Sequence, residues 1–279
     1  MLYSKKEIKF KVNMLTNFHM HTTFCDGKNT AEEMVLSSIQ KGFNSIGFSG
    51  HGYTDFDDSF CLKNTAEYIA EIKRLKEKYK HKIQIYLGVE EDLLQPVNRR
   101  DFDYIIGSSH YFTIGNVRFP VDHTYQILVD GLKYYNGDPL IMAEDYYKTF
   151  CDYILARKPD IVGHFDLLTK FDQKNAPLFL GNEKYYQIAE KYLEQAIKSQ
   201  CIFEVNTGAM ARGYRTTPYP DERLLFLLKK ADAKLILSSD SHNVSTIDFG
   251  LNQAREMLKD IGFNYVYTLY NGQFIKDCL

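Results

Sequence analysis

Tryptophan is absent, no two of the five cysteines form a C-x-x-C pair, no long basic run occurs, and no apolar stretch approaches the length of a membrane span. Each of these absences but the first removes a class of protein. Cys25, Cys61, Cys151, Cys201 and Cys278 are odd in number and widely spaced, which excludes a stapled secreted scaffold and fits reduced thiols in a cytosolic chain. Crossing a bilayer takes roughly 18 or more consecutive apolar residues, so no membrane partner is expected. Lys plus Arg number 34 against 36 Asp plus Glu, a net charge of −2, so nothing tracks a phosphate backbone and nucleic acid is not expected as a partner either. Residues 1–13 carry Lys5, Lys6, Glu7, Lys9 and Lys11 without the apolar centre of a secretory leader, so they read as a short solvated arm and the chain as cytoplasmic. For the missing tryptophan we have no functional account.

What is present is an alternation of strand and helix signals over 14–279 with no linker or low-complexity stretch, at a length that one domain can fill. Strands are expected around Met14–Phe18, Ser45–Ser49, Ile83–Val89, Tyr104–Ser109, Asp160–Gly163, Ile202–Thr207 and Leu235–Ser239. Between them, Thr30 with Glu33 reads as a capping box, Asn64 as the cap of a helix to about Tyr79, and helical spacing recurs over 125–134, 143–156, 182–199, 222–231 and 246–261. Tyr265–Ile275 reads as a last strand or a hairpin turning at Asn271-Gly272. About seven β-then-α units call for a parallel sheet, and their number at this length favours a closed or nearly closed barrel over an open doubly wound sheet.

Six of the eight histidines (His19, His21, His51, His110, His164 and His242) fall at expected C-terminal strand ends. If such ends make up about a tenth of the chain, chance would place roughly one there. A barrel gathers these ends on one face, where they meet Asp26, Glu90 and Asp240. His81, at a helix terminus, and His123, in a loop, read as bystanders. Packed imidazoles and carboxylates resolve their mutual repulsion by holding metal as neutral imidazole and ionised carboxylate, and nine ligands are too many for one ion. Two to three cations sharing a bridging carboxylate are expected, with zinc, manganese or iron all compatible with nitrogen and oxygen ligands free of thiolate. Cys25, beside this cluster, reads as a small buried side chain.

Taken in order, H-x-H with C-D-G (19–27), G-H-G (50–52), G-V-E (88–90), S-S-H (108–110), G-H-F-D (163–166) and S-S-D-S-H (238–242) resemble the polymerase and histidinol phosphatase (PHP) superfamily over about residues 15–260. The resemblance implies a distorted (βα)7 TIM-like barrel with a metal cluster at its C-terminal face. It also implies that His19, His21, Glu90 and Asp240 hold one metal. Glu90 would bridge to a second, held with His110 and His164, and Asp26, His51 and His242 would hold a third. Some relatives carry a histidine one position past Asp26, where this chain has Gly27, and Glu91 competes with Glu90 for the bridging place. C-D-G, P-V-D at Pro120–Asp122 and the arginine-bearing loop before P-Y-P at Pro218–Pro220 are similar to the histidinol-phosphate phosphatase branch of the family.

Clustered cations suit hydrolysis of a phosphate monoester, in which an acidified bridging water attacks in line. Glu90, Asp240 and His242 are the residues expected at that chemistry. Arg212 or Arg215, after the sixth strand, would grip the phosphoryl group in a bidentate fork, the competing role being an ordinary surface salt bridge. Tyr111, Phe112, Phe119 and Tyr214 are candidate walls for the organic end of a small-molecule substrate, against a competing role in core packing, and Asp122 is a candidate for its cation. The rival functions are a phosphotyrosine or nucleotide phosphoesterase of the same fold, an amidohydrolase, and a sensor that binds without turnover. An amidohydrolase would normally show a bridging lysine where Glu90 and His110 stand.

Overall fold

The computed structural model describes residues 14–279; the arm expected over 1–13 lies outside the described residues. The strands are β1 (Thr16–Asn17), β2 (Ser45–Phe48), β3 (Gln84–Asp92), β4 (Tyr104–Ser108), β5 (Tyr111–Ile114), β6 (Val117–Pro120), β7 (Ile161–Val162), β8 (Ile202–Asn206), β9 (Lys234–Ser238), β10 (Tyr265–Tyr270) and β11 (Gln273–Cys278). The helices are α1 (Ala31–Gln40), α2 (Thr65–Tyr79), α3 (Tyr125–Gly131), α4 (Pro139–Arg157), α5 (Glu183–Ala196), α6 (Gly208–Ala211), α7 (Glu222–Lys230) and α8 (Leu251–Ile261). None is long and apolar enough to cross a membrane.

The seven strands β1, β2, β3, β4, β7, β8 and β9 pair in that order and in parallel, and β10 and β11 continue the sheet beyond β9. The curled sheet closes at its C-terminal end, where Met20 bridges Ser241 in parallel, His21 N donates to Ser241 O at 2.8 Å and Asn17 Nδ2 donates to Ser239 Oγ at 2.7 Å. At the other end β10 lies between β9 and the first strands: Tyr267 pairs with Ile236, and Thr268 Oγ1 donates to Thr16 Oγ1 at 3.0 Å. This is the distortion of the (βα)7 barrel: one seam closes by direct pairing near the histidines and by an inserted strand at the opposite end.

Two apolar layers hold it. Phe18, Tyr86, Tyr104, Ile106, Ile161, Ile202, Ile236 and Leu269 form one buried cluster, and a much larger one lies between sheet and helices. The helix starts follow their caps. Thr30 and Glu33 form the expected capping box on α1, and Asn64 and Asn182 each accept from a first-turn amide of α2 and α5. The expected terminal hairpin is β10–β11, turning through Asn271 and Gly272, both at positive φ.

Two elements differ from expectation. The segment after His110 contains a two-stranded ribbon, β5–β6, turning at Gly115, where no strand was read. That ribbon is held from below by Phe112 stacked on Phe119 and edge-on to Tyr135. The helix expected from Thr246 starts at Leu251, because Gly250 at φ +70° breaks the backbone after a short 3-10 turn over Val244–Thr246.

Candidate metal centre

His19 and His21 leave the end of β1 in extended backbone, and the closing bonds to Ser241 set them directly against Asp240 and His242. The loop after them is drawn back on itself, with Cys25 N and Gly27 N both donating to Thr22 O and Lys28 N donating to His242 O. A Cβ at Gly27 would lie 2.5 Å from Thr22 N, so this turn admits no side chain there; Asp26 instead reaches the cluster. Its Oδ2 stands 3.1 Å from His242 Nε2, and its Oδ1 3.6 Å from His21 Nδ1 and 3.7 Å from His51 Nε2.

Glu90, at the end of β3, lies at the middle of the group, and its two oxygens face different partners. Oε2 stands 3.1 Å from His19 Nε2, 3.5 Å from His21 Nε2 and 3.0 Å from His51 Nδ1. Oε1 stands 3.0 Å from His164 Nε2 and 3.2 Å from His110 Nε2, and accepts from Ser108 Oγ at 2.7 Å. Asp240 Oδ1 adds an oxygen 3.3 Å from His21 Nε2 and 3.7 Å from His19 Nε2. Asp240 sits at φ +48°, a left-handed conformation that costs a non-glycine residue about 1 kcal/mol or more, and a Cβ on Gly208 would lie 2.7 Å from its side chain.

All nine expected ligands are therefore brought together. His19, His21 and Asp240 form one close group, and His21, Asp26, His51 and His242 another; Glu90 shares a group with His19 and His164 and a further one with His51 and His110. The partition is looser than the three sets expected, since His21 and His51 each face two groups. Glu91 is not a competitor: it points the other way and accepts from Val97 N, Tyr153 OH and the Arg157 guanidinium.

The donor set fits divalent cations on two counts. His19 Nε2, His21 Nε2 and Glu90 Oε2 are buried with no hydrogen-bond partner, a loss of about 1–3 kcal/mol each unless a cation takes them. Ligand atoms around a tetrahedral ion with bonds near 2.1 Å stand about 3.4 Å apart, close to the Glu90 and Asp240 separations above. At His19 and His242 the second nitrogen aims the first: His19 Nδ1 lies 2.6 Å from Glu204 Oε1, and His242 Nδ1 lies 3.0 Å from Asp240 O.

Electrostatics divide the imidazoles. Burial alone would lower the His19 pKa, but Glu204, Glu90 and Asp240 outweigh it and raise it well above the ordinary value. The same contest, with Glu90 as the first carboxylate, raises His51 and His110. His21 goes the other way, to about 3, through burial and the neighbouring His242 and His51. Glu90 and Asp240 are held well below the usual carboxylate range despite burial, by the imidazoles and, at Asp240, first by Arg212. The thiol of Cys25, partly buried and 3.6 Å from His21 Nδ1, is pushed up to about 12, mainly by burial.

Arg212 and Arg215 separate cleanly. Arg212 lies at the rim with its side chain 33% exposed, donating to Asp240 Oδ2 at 2.9 Å and to Asp240 O at 3.2 Å. The Arg215 side chain is 0% exposed, bonded to Thr169 Oγ1 and the carbonyls of Thr217 and Pro218, 3.9 Å from Asp166 and stacked on Tyr219. No phosphate can reach it, so its candidacy as a phosphate grip is corrected: burial has made it a structural cation. Phe112 is corrected likewise, because only 2% of it is exposed and its ring is packed among Phe119, Tyr135 and Tyr146. Phe119 shares that core stack, and Tyr214 packs edge-on to Phe171.

Beside the cluster opens a cavity of about 380 Å³, whose wall includes Asp26, His51, His110, Tyr111, Asp122 and Lys170. Tyr111 and Asp122 both line this cavity, where Asp122 is paired with Lys170 Nζ at 2.9 Å and Tyr111 OH donates to Asp57 Oδ2 at 2.6 Å. His123, read as a bystander, also lines this cavity, as do Asp57 and Phe60. Lys170 and Glu204 were not singled out from the sequence. Each follows or lies within a strand-end motif already noted, G-H-F-D for Lys170 and the sixth strand for Glu204, and that position was the available signal.

The model of the PHP domain matches residues 17–208. Over 277 residues the chain is 27% identical to a Schizosaccharomyces pombe protein named "Probable histidinol-phosphatase", covering 91% of this chain and 89% of that one. It is 26% identical over 259 residues to the histidinol-phosphatase of Bacillus subtilis, covering 83% and 94%. Its fold is similar, with a TM-score of 0.68 at 22% identity over 94% and 98% of the two chains, to Lactococcus lactis histidinol phosphate phosphatase complexed with zinc, L-histidinol and phosphate. With a strand-end cluster built as described and a family match over most of its length, the chain belongs to the PHP family.

Proposed function

We propose that residues 14–279 form one metal-dependent phosphoesterase domain that hydrolyses L-histidinol phosphate to L-histidinol and phosphate, a reaction of histidine biosynthesis. The observation that carries this reading is the Glu90 carboxylate, whose two oxygens face two different sets of imidazoles, as a bridge between two cations requires. The nine residues grouped around it would hold two to three divalent cations, with zinc, manganese and iron all suited to the donors. When bound, these ions supply an acidified water for in-line attack and neutralise charge on the phosphoryl oxygens.

The chain's own residues supply the rest. Arg212 is anchored by Asp240 through Nη1 and Nη2 and, being one-third exposed, keeps donors for a phosphoryl oxygen whose charge redistributes during transfer. His242, fixed by its Nδ1 contact to Asp240 O, aims Nε2 at the cluster beside Asp26. Tyr111 and Asp122 stand where the organic end of the substrate would extend into the cavity. Substrate choice draws its support from the histidinol-phosphatases that this chain is similar to over most of its length. A reducing compartment such as the cytoplasm suits its five cysteines, odd in number and widely spaced.

The test is phosphate release from L-histidinol phosphate, phosphotyrosine and nucleotides by the metal-loaded protein. We expect L-histidinol phosphate to be cleaved fastest. Faster cleavage of either alternative removes the substrate assignment but leaves the phosphoesterase; no release from any of them, with metals bound, leaves a sensor.

A further inference from the structure

Glu204 is buried on β8 and belongs to none of the candidate metal groups among the described residues. Three donors converge on it. Oε1 lies 2.6 Å from His19 Nδ1, while Oε2 accepts from the backbone N–H of His164 at 2.9 Å and from Asn206 Nδ2 at 3.0 Å. His19 faces Glu90 Oε2 and groups with Asp240 and His21 as well as with Glu90 and His164, whereas His164 faces Glu90 Oε1. One carboxylate therefore orients one histidine facing each oxygen of Glu90.

We infer that Glu204 is a positioning residue that fixes His19 in the Nδ1–H tautomer and holds the His164 backbone in register, so that both sides of the bridge depend on it. The inference rests on the proposed metal centre and not on the choice of substrate. Its chemistry is specific to a carboxylate, because both oxygens must accept. Glutamine has one accepting oxygen and one donating NH2. The two donors at the Oε2 position claim the amide oxygen, which leaves the NH2 facing His19 Nδ1. That nitrogen must then accept, so the ring proton moves to Nε2, the atom aimed at Glu90 and Asp240, and blocks it as a ligand. Partners that aim a metal-binding histidine typically carry a 10–100-fold effect on affinity.

The test is a cadmium titration of metal-stripped wild type and Glu204→Gln, read by 113Cd NMR, with 15N-detected histidine tautomers and thermal melting alongside. The expected result is at least two cadmium signals in wild type. In Glu204→Gln we expect about 10–100-fold weaker binding at the signal that couples to His19, and a His19 proton on Nε2, with a melting temperature near that of the wild type. Full cadmium binding by Glu204→Gln at wild-type affinity overturns the inference. If the variant does not fold, loaded wild type decides: coordination of His19 through Nε2 with a proton on Nδ1 supports it, and coordination through Nδ1 overturns it. Fewer than two cadmium signals in wild type overturns the bridged centre itself, and the role of Glu204 with it.

Discussion

Glu90 and Glu91 are consecutive, both carboxylates are almost fully buried, and they differ in the face of β3 from which they project. Glu91 points toward α4, where Val97 N at 2.7 Å, Tyr153 OH at 2.6 Å and a two-pronged Arg157 guanidinium at 2.6 and 2.8 Å occupy both of its oxygens. Glu90 points into the cluster, where Oε2 has imidazoles around it but no hydrogen-bond partner. The same contrast separates Arg215, sealed against Asp166, from Arg212, which stands at the rim. Burial of charge is therefore no guide to function in this barrel. What separates these pairs is whether the buried charge is satisfied by the protein alone, as at Glu91 and Arg215, or keeps an unpartnered atom, as at Glu90.

The largest effect should come from breaking that contrast at its centre. Glu90→Gln is expected to strip metal and to lower kcat/KM by several kcal/mol, on the order of 10³-fold or more, with little loss of stability in the metal-free protein. Glu91→Gln should do the reverse, keeping the metals while lowering unfolding free energy by about 1–3 kcal/mol as one buried acceptor is lost. Elemental analysis and denaturant unfolding of both variants check this, and equal, mild effects in the two would dissolve the distinction.

The arginines sharpen it next. Arg215→Ala leaves Asp166 buried and uncompensated, and should cost about 3–5 kcal/mol of stability with kcat/KM of the folded fraction intact. Burial already pushes the Asp166 carboxyl up to about 6 with Arg215 beside it. Since that folded value lies above the ordinary one, ionising Asp166 opposes folding in both proteins as pH rises from about 4, and the deficit of Arg215→Ala against wild type should deepen above about pH 6, where only wild type can ionise Asp166. Arg212→Ala should instead keep its stability and metals and lose about 10²–10³-fold in kcat/KM, with lysine restoring only part because an ammonium lacks the planar fork. Full activity in Arg212→Ala would leave phosphate to the metals alone.

Much of this was readable in the chain because the barrel translates local sequence into one place: each strand ends where its motif ends, so H-x-H, G-H-G, G-V-E and S-S-D-S-H could be gathered without knowing any long-range contact. What could not be read depended on partners distant in sequence. Glu204 was visible as a strand residue, but its work is done on His19, 185 positions away. Arg212 and Arg215 are three apart, and only the packing of Thr169 and Asp166 against the loop decides which is sealed. Whether Phe112 and Phe119 wall a pocket or pack in the core was open in the sequence because it depends on the β5–β6 ribbon, whose strands are four residues each and which turns both rings into the core.

A last prediction reads the cluster without altering it. In the metal-free protein the surrounding carboxylates raise the pKa values of His19, His51 and His110, so a cation must displace protons from them up to a higher pH than from an ordinary imidazole, whereas His21, lowered to about 3, gives up none. The raised histidines stabilise the metal-free fold fully below their unfolded value of about 6.5, and this contribution is lost as pH rises through their folded values. Metal affinity moves oppositely, gaining about tenfold, or 1.4 kcal/mol, per pH unit for each proton displaced in that range. The melting-temperature gap between loaded and chelator-stripped protein should accordingly widen from pH 6 to pH 8, at a fixed free-metal concentration. Calorimetric loading in buffers of different ionisation enthalpy should show net proton release. A gap independent of pH, with no proton released, would mean that the imidazoles are already neutral before metal arrives and that the carboxylates around them do not govern loading.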